Sequence, residues 1–86
     1  MGTFDEFIKD WKISKERKSA KHVSGLNIEV DTVNEDGSLR LALSGMSSFM
    51  KNTYAELKDV DATNRRLHEL EQQFVEIYKK MFNGNG

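Results

Sequence analysis

Two histidines, His22 and His68, are the only side chains of this 86-residue chain that ordinarily titrate near neutrality, and there is no cysteine. Nucleophilic catalysis would need one of them beside a serine and a carboxylate. Ser44, His68 and Asp61 supply the types, but a triad is a matter of geometry, and no nucleophile-elbow motif surrounds any serine. His68 reads as a surface or half-buried helix residue and His22 as solvated in a polar stretch. Catalytic residues are therefore not expected, nor is an enzyme. Metal chemistry is as thin. The acidic turn at 34–37 lacks the alternating oxygen ligands and terminal bidentate Glu of a calcium loop. Asp59 and Asp61, two apart, diverge on a helix. The six glycines are dispersed, so no phosphate cradle forms. No metal, cofactor or small-molecule substrate is expected.

Two groups of residues could bind a macromolecule. Lys12, Lys15, Arg17, Lys18 and Lys21, with Trp11 nearby, could lie along phosphates, each neutralised phosphate adding a salt-dependent increment of affinity. Asp10 and Glu16 interrupt the run, and a pI of 6.1 is low for a nucleic-acid binder. The second group is an apolar stripe near the carboxyl end: Leu67, Leu70, Phe74, Ile77, Tyr78 and Met81. With Phe49, Met50, Tyr54 and Phe82 it exceeds what one hairpin and one short helix would cover, which points to a protein partner or a second copy of the chain.

The elements that must position these residues follow from periodicity. Thr3-Phe4-Asp5-Glu6 matches a capping box, and Phe4, Phe7, Ile8 and Trp11 then recur at helical spacing. A helix over about 4–20 is predicted, its polar second half frayed and Gly25 a stop. Leu26, Ile28, Val30 and Thr32 alternate before Asn34-Glu35-Asp36-Gly37, and Leu39, Leu41 and Leu43 alternate after it, which predicts a β-hairpin over 26–44. Turns of two or four residues keep the apolar residues on one face. A three-residue loop would set Leu41 against Asp31 and is disfavoured.

From Met46 onward a helix over about 46–82 is predicted, with a loose tail at 83–86. Met46, Thr53, Val60, Leu67, Phe74 and Met81 form a column at a spacing of seven. Unbroken, that helix would measure about 54 Å, against about 30 Å for a domain this size. It either breaks near 59–63 and folds back, or projects and pairs with another chain; we favour one long or kinked helix that dimerises.

The chain is thus expected to be one small α+β domain over 1–86, ordered helix, hairpin, helix. That order is similar to the layout of small phage head–tail joining proteins and of small nucleoid-associated proteins, suggesting a phage or bacterial accessory role; layout alone does not carry function. No apolar run approaches the roughly 18 residues of a membrane span. No signal segment opens the chain, and Glu6 sits where a myristoylation site wants Ser or Thr. A cytoplasmic location is the expectation. The function expected first is a non-catalytic protein-binding module, an adaptor, assembly factor or inhibitor that homodimerises through its C-terminal helix. The alternative is a nucleic-acid-binding regulator using the basic segment.

Overall fold

A computed structural model describes residues 3–82 of the chain. A short helix, α1 (Phe4–Phe7), continues into a 3-10 turn (Ile8–Asp10). Four strands follow: β1 (Trp11–Ser14), β2 (Ser19–His22), β3 (Asn27–Val33) and β4 (Leu39–Ser44). Two helices close the fold, α2 (Met46–Leu57) and α3 (Val60–Ile77), the latter widening into a π-helical turn (Tyr78–Phe82). The strands make one antiparallel sheet in the order β1-β2-β3-β4. The α+β class and the succession helix, hairpin, helix are as expected; the first segment and the last are built differently. The tail expected at 83–86 lies outside the described residues.

The capping box forms: Thr3 Oγ1 accepts the Glu6 N–H at 3.3 Å, and Glu6 Oε1 accepts the Thr3 N–H at 3.2 Å. The helix nevertheless stops at Asp10 instead of running to 20. Trp11 to Ser14 and Ser19 to His22 pair instead as strands, with Trp11 opposite His22 and Ile13 opposite Ala20. As a helix, 14–21 would have had nothing to bury and no packing to repay its ordering. As a hairpin it sends Trp11 and Ala20 into the core, 6% and 1% exposed. It also gives β3 a second neighbour, which two strands alone need for stability. Lys18 closes the turn at 15–18 with φ 52°. Gly25, expected to stop a helix, sits instead in the β2–β3 turn.

The β3–β4 hairpin reaches the apolar register by an unexpected route. Val33 faces Leu39 and Thr32 faces Arg40 near the tip, whereas Val30 faces Leu41 and Ile28 faces Leu43 further down. The loop is the disfavoured odd one: Asn34 N–H donates to Ser38 O at 2.8 Å and Gly37 N–H to Asn34 O at 2.9 Å, with Gly37 at φ 89°. A β-bulge at Asp31 then absorbs the odd residue and sets Val30 opposite Leu41 and Ile28 opposite Leu43 on the inner face. The parity argument erred only in assuming an unbroken ladder.

The long C-terminal helix is broken. Lys58 turns left-handed at φ 54°, its N–H capping Tyr54 O at 2.7 Å. Asp59 then caps α3, its carboxylate accepting the Ala62 N–H at 3.1 Å, while Thr63 Oγ1 donates to Asp59 O at 2.8 Å. The longest extent of the molecule is 41 Å, too short for a straight rod of about 54 Å over 46–82. So α3 folds back along α2, and the favoured dimerising rod is replaced by an intramolecular pair. The core lies between that pair and the inner sheet face: Trp11, Ala20, Leu26, Ile28, Phe49, Leu70, Phe74, Ile77 and Phe82.

Candidate anion-binding surface

The stripe expected to meet a partner lies inside the single chain. Leu70, Phe74 and Ile77 are essentially unexposed, and Leu67, Tyr78 and Met81 are half-buried against the same core. The apolar surplus existed only while residues 11–22 counted as helix. Once they supply two strands, the sheet is wide enough to take the stripe. What stays outside on the helices is small: Met50 and Tyr54, one turn apart on α2, and Val60 at the start of α3.

The basic residues undergo the opposite change. Lys12 and Lys21 are cross-strand partners on β1 and β2. Their parity, opposite to that of Trp11, Ile13 and Ala20, places both on the outer, solvent-facing side of the sheet. Lys15, Arg17 and Lys18 occupy the turn joining the two strands. All five are exposed on one hairpin, spread over about 10 Å at 3.3 Å per residue, with Glu16 the only acid between them. The ion pairs among the described residues lie elsewhere: Asp31–Arg40 and Arg66–Glu69 at 3.4 Å, and His68–Glu71 at 3.1 Å. Acidic side chains gather instead on the β3–β4 hairpin (Glu29, Asp31, Glu35, Asp36). At its tip the Ser38 hydroxyl and N–H hold the Asp36 carboxyl below its ordinary pKa.

At the foot of the basic hairpin is a cleft of about 570 Å³ walled by Lys9, Lys12 and Lys21, with Trp11, His22, Ser48 and Asn52 around it. A second cavity of about 520 Å³ adjoins it, sharing Asp10, His22, Val23 and Asn52, and adds Glu56, Arg66, Glu69 and Gln73. Trp11 is pinned by its indole N–H donating to Gln73 Oε1 at 2.9 Å and by an edge-on contact with the His22 ring, centroids 4.9 Å apart. The Ser24 N–H donates to His22 Nδ1 at 3.1 Å, so the neutral ring carries its proton on Nε2. Asn52 Nδ2 donates to Ser24 O at 2.9 Å and ties this turn to α2. Burial lowers the His22 pKa from the ordinary 6.5, Asp10 opposes that shift, and Arg66 adds to it. His22 is therefore half-buried, not solvated as expected.

The remaining candidates are scattered. His68 is exposed and paired with Glu71, while Ser44 Oγ accepts from Asn27 Nδ2 at 3.3 Å across the sheet, so these residues assemble no triad. Among the described residues no group of three His, Asp or Glu side chains could hold a metal ion, and no helix is long and apolar enough to cross a membrane. Lys9, Ser48 and Asn52 escaped the sequence reading because they join the site only through the break at Asp10 and the docking of α2. Compared with protein-family models, curated proteins and solved structures, the chain matches none.

Proposed function

We propose that this chain is a non-catalytic binding module whose β1–β2 hairpin engages a polyanion, the phosphate backbone of a nucleic acid. The observation that carries this reading is the Lys12–Lys21 pair, two like charges held opposite each other on an open sheet face with three more cations in the adjoining turn. Directly opposed like charges cost a sheet on the order of 0.2–1 kcal/mol. An anionic partner reverses that cost. The net charge of −1 is no obstacle, because the β1–β2 hairpin itself holds five cations against Glu16, while Glu29, Asp31, Glu35 and Asp36 gather on the neighbouring hairpin. Outward side chains of β1 and β2 are Lys and Ser, with no aromatic platform for bases, so binding rests on phosphates with little sequence preference. Such a role suits a cytoplasmic setting.

An electrophoretic shift with single-stranded and duplex probes tests it. Binding at 50 mM salt should weaken with a log–log salt slope of about −2 to −4, from three to five neutralised phosphates. No shift with either probe at 100 µM protein overturns the reading. A protein partner, including a second copy of this chain, is the other reading, favoured by the exposed Met50, Tyr54 and Val60. It would be an adaptor surface on α2 rather than a C-terminal seam, and sedimentation of Tyr54→Glu beside the unmodified protein tests it.

A further inference from the structure

We infer that the cleft at the foot of the β1–β2 hairpin seats a phosphomonoester, the terminal phosphate of a strand whose backbone lies along that hairpin. The inference rests on the polyanion reading and adds where the strand ends. Lys9, Lys12 and Lys21 border the cleft, the last two at its edge on the outer side of the sheet, with Asp10 the one acid beside them. That balance of +2 matches a phosphomonoester, which carries about −1.5 to −2 at neutral pH, better than a diester carrying one charge. Neutral donors are in place as well. His22 keeps its proton on Nε2 because Nδ1 is occupied by Ser24, and Ser48 borders the cleft.

Beyond His22 the sign of the charge changes. The adjoining cavity presents Asp10, Glu56 and Glu69 against Arg66 alone, and Arg66 is already paired with Glu69. A chain of further phosphodiesters would run into those carboxylates. The cation path that starts at the turn, passes Lys12 and Lys21 and arrives at Lys9 is therefore closed at its inner end, as a seat for a strand terminus should be. A volume of about 570 Å³ leaves room for the phosphate and the sugar attached to it.

Trp11 is the only tryptophan and borders the cleft, so its fluorescence reports occupancy. The full chain is titrated at 50 mM salt with one oligonucleotide sequence in three forms: 5′-phosphorylated, 3′-phosphorylated and hydroxyl-ended, with inorganic phosphate as a fourth ligand. One phosphorylated form should bind on the order of tenfold to a hundredfold tighter than the hydroxyl-ended form, as charge-assisted hydrogen bonds imply. Lys9→Ala should erase that difference between phosphorylated and hydroxyl-ended forms, whatever it does to the affinity they share. Equal binding of all three forms overturns the terminal seat and leaves the hairpin proposal standing. A Trp11 response to inorganic phosphate without oligonucleotide binding, lost in Lys9→Ala, supports the phosphomonoester seat and moves its source to a free phosphorylated compound, overturning the hairpin proposal. Silence with all four ligands overturns both.

Discussion

Replacing Phe74 with alanine asks whether the carboxyl-terminal stripe is held by its own chain or by another. Phe74 is 0% exposed, meets Phe82 edge-on with centroids 6.0 Å apart, and shares the core with Leu70, Ile77 and Phe49. Truncating a phenylalanine so placed costs about 3–5 kcal/mol in lost transfer energy and residual cavity. A chain of this length has a total stability of about 4–13 kcal/mol, so the variant loses about a quarter of it or more. In thermal terms the loss is about 12–40 °C.

The assay is urea unfolding followed by circular dichroism, run at 1, 10 and 100 µM for the parent and for Phe74→Ala. A core closed within one chain gives a parent midpoint independent of concentration. If two chains shared the stripe, a hundredfold dilution would remove about 2.7 kcal/mol. With a urea slope of about 1–3 kcal/mol per molar, the midpoint would then fall by roughly 1 M or more. Such a fall in the parent, or a Phe74→Ala variant as stable as the parent, refutes the reasoning.

Asp59→Ala should cost about 0.5–2 kcal/mol by removing the cap that starts α3, read as a lower urea midpoint. Lys21→Ser should leave stability unchanged or raise it by up to about 1 kcal/mol, because a like-charge pair is relieved. The same variant should weaken nucleic-acid binding and flatten the salt slope by about one. Because burial lowers the His22 pKa in the folded state, the unfolded chain binds more protons on the acid side of 6.5. Stability from this site is therefore complete above 6.5 and declines as pH falls below it. Thermal melts between pH 7 and pH 5 should show that decline, and it should be smaller in His22→Asn.

How far the sequence can be read differs from element to element. The capping box at Thr3 and Glu6 and the alternation around residues 34–37 are local signals, and each appears where the residues place it. The Asp59 cap is local too, and it competed with a seven-residue column that continues unbroken across it. Residues 11–22 are different. Trp11 satisfies both the helical spacing from Phe4 and the two-residue spacing to Ile13, and the Lys- and Glu-rich stretch that follows has good helix formers. Only a sheet edge at β3, available once the chain has folded, makes the strand the better choice.

By itself the sequence determined the α+β class, the helix start at Thr3, and the face that Ile28, Val30, Leu41 and Leu43 share in the β3–β4 hairpin. Those depend on periodicity and turn chemistry, which are properties of neighbours along the chain. Tertiary structure decided which side of the molecule each group serves. Packing against a four-stranded sheet turned the C-terminal stripe inward, and pairing of β1 with β2 lined five cations along one hairpin beside a cleft. Burial and cross-strand contact join residues distant in sequence, such as Trp11 and Gln73, and no local pattern encodes that distance.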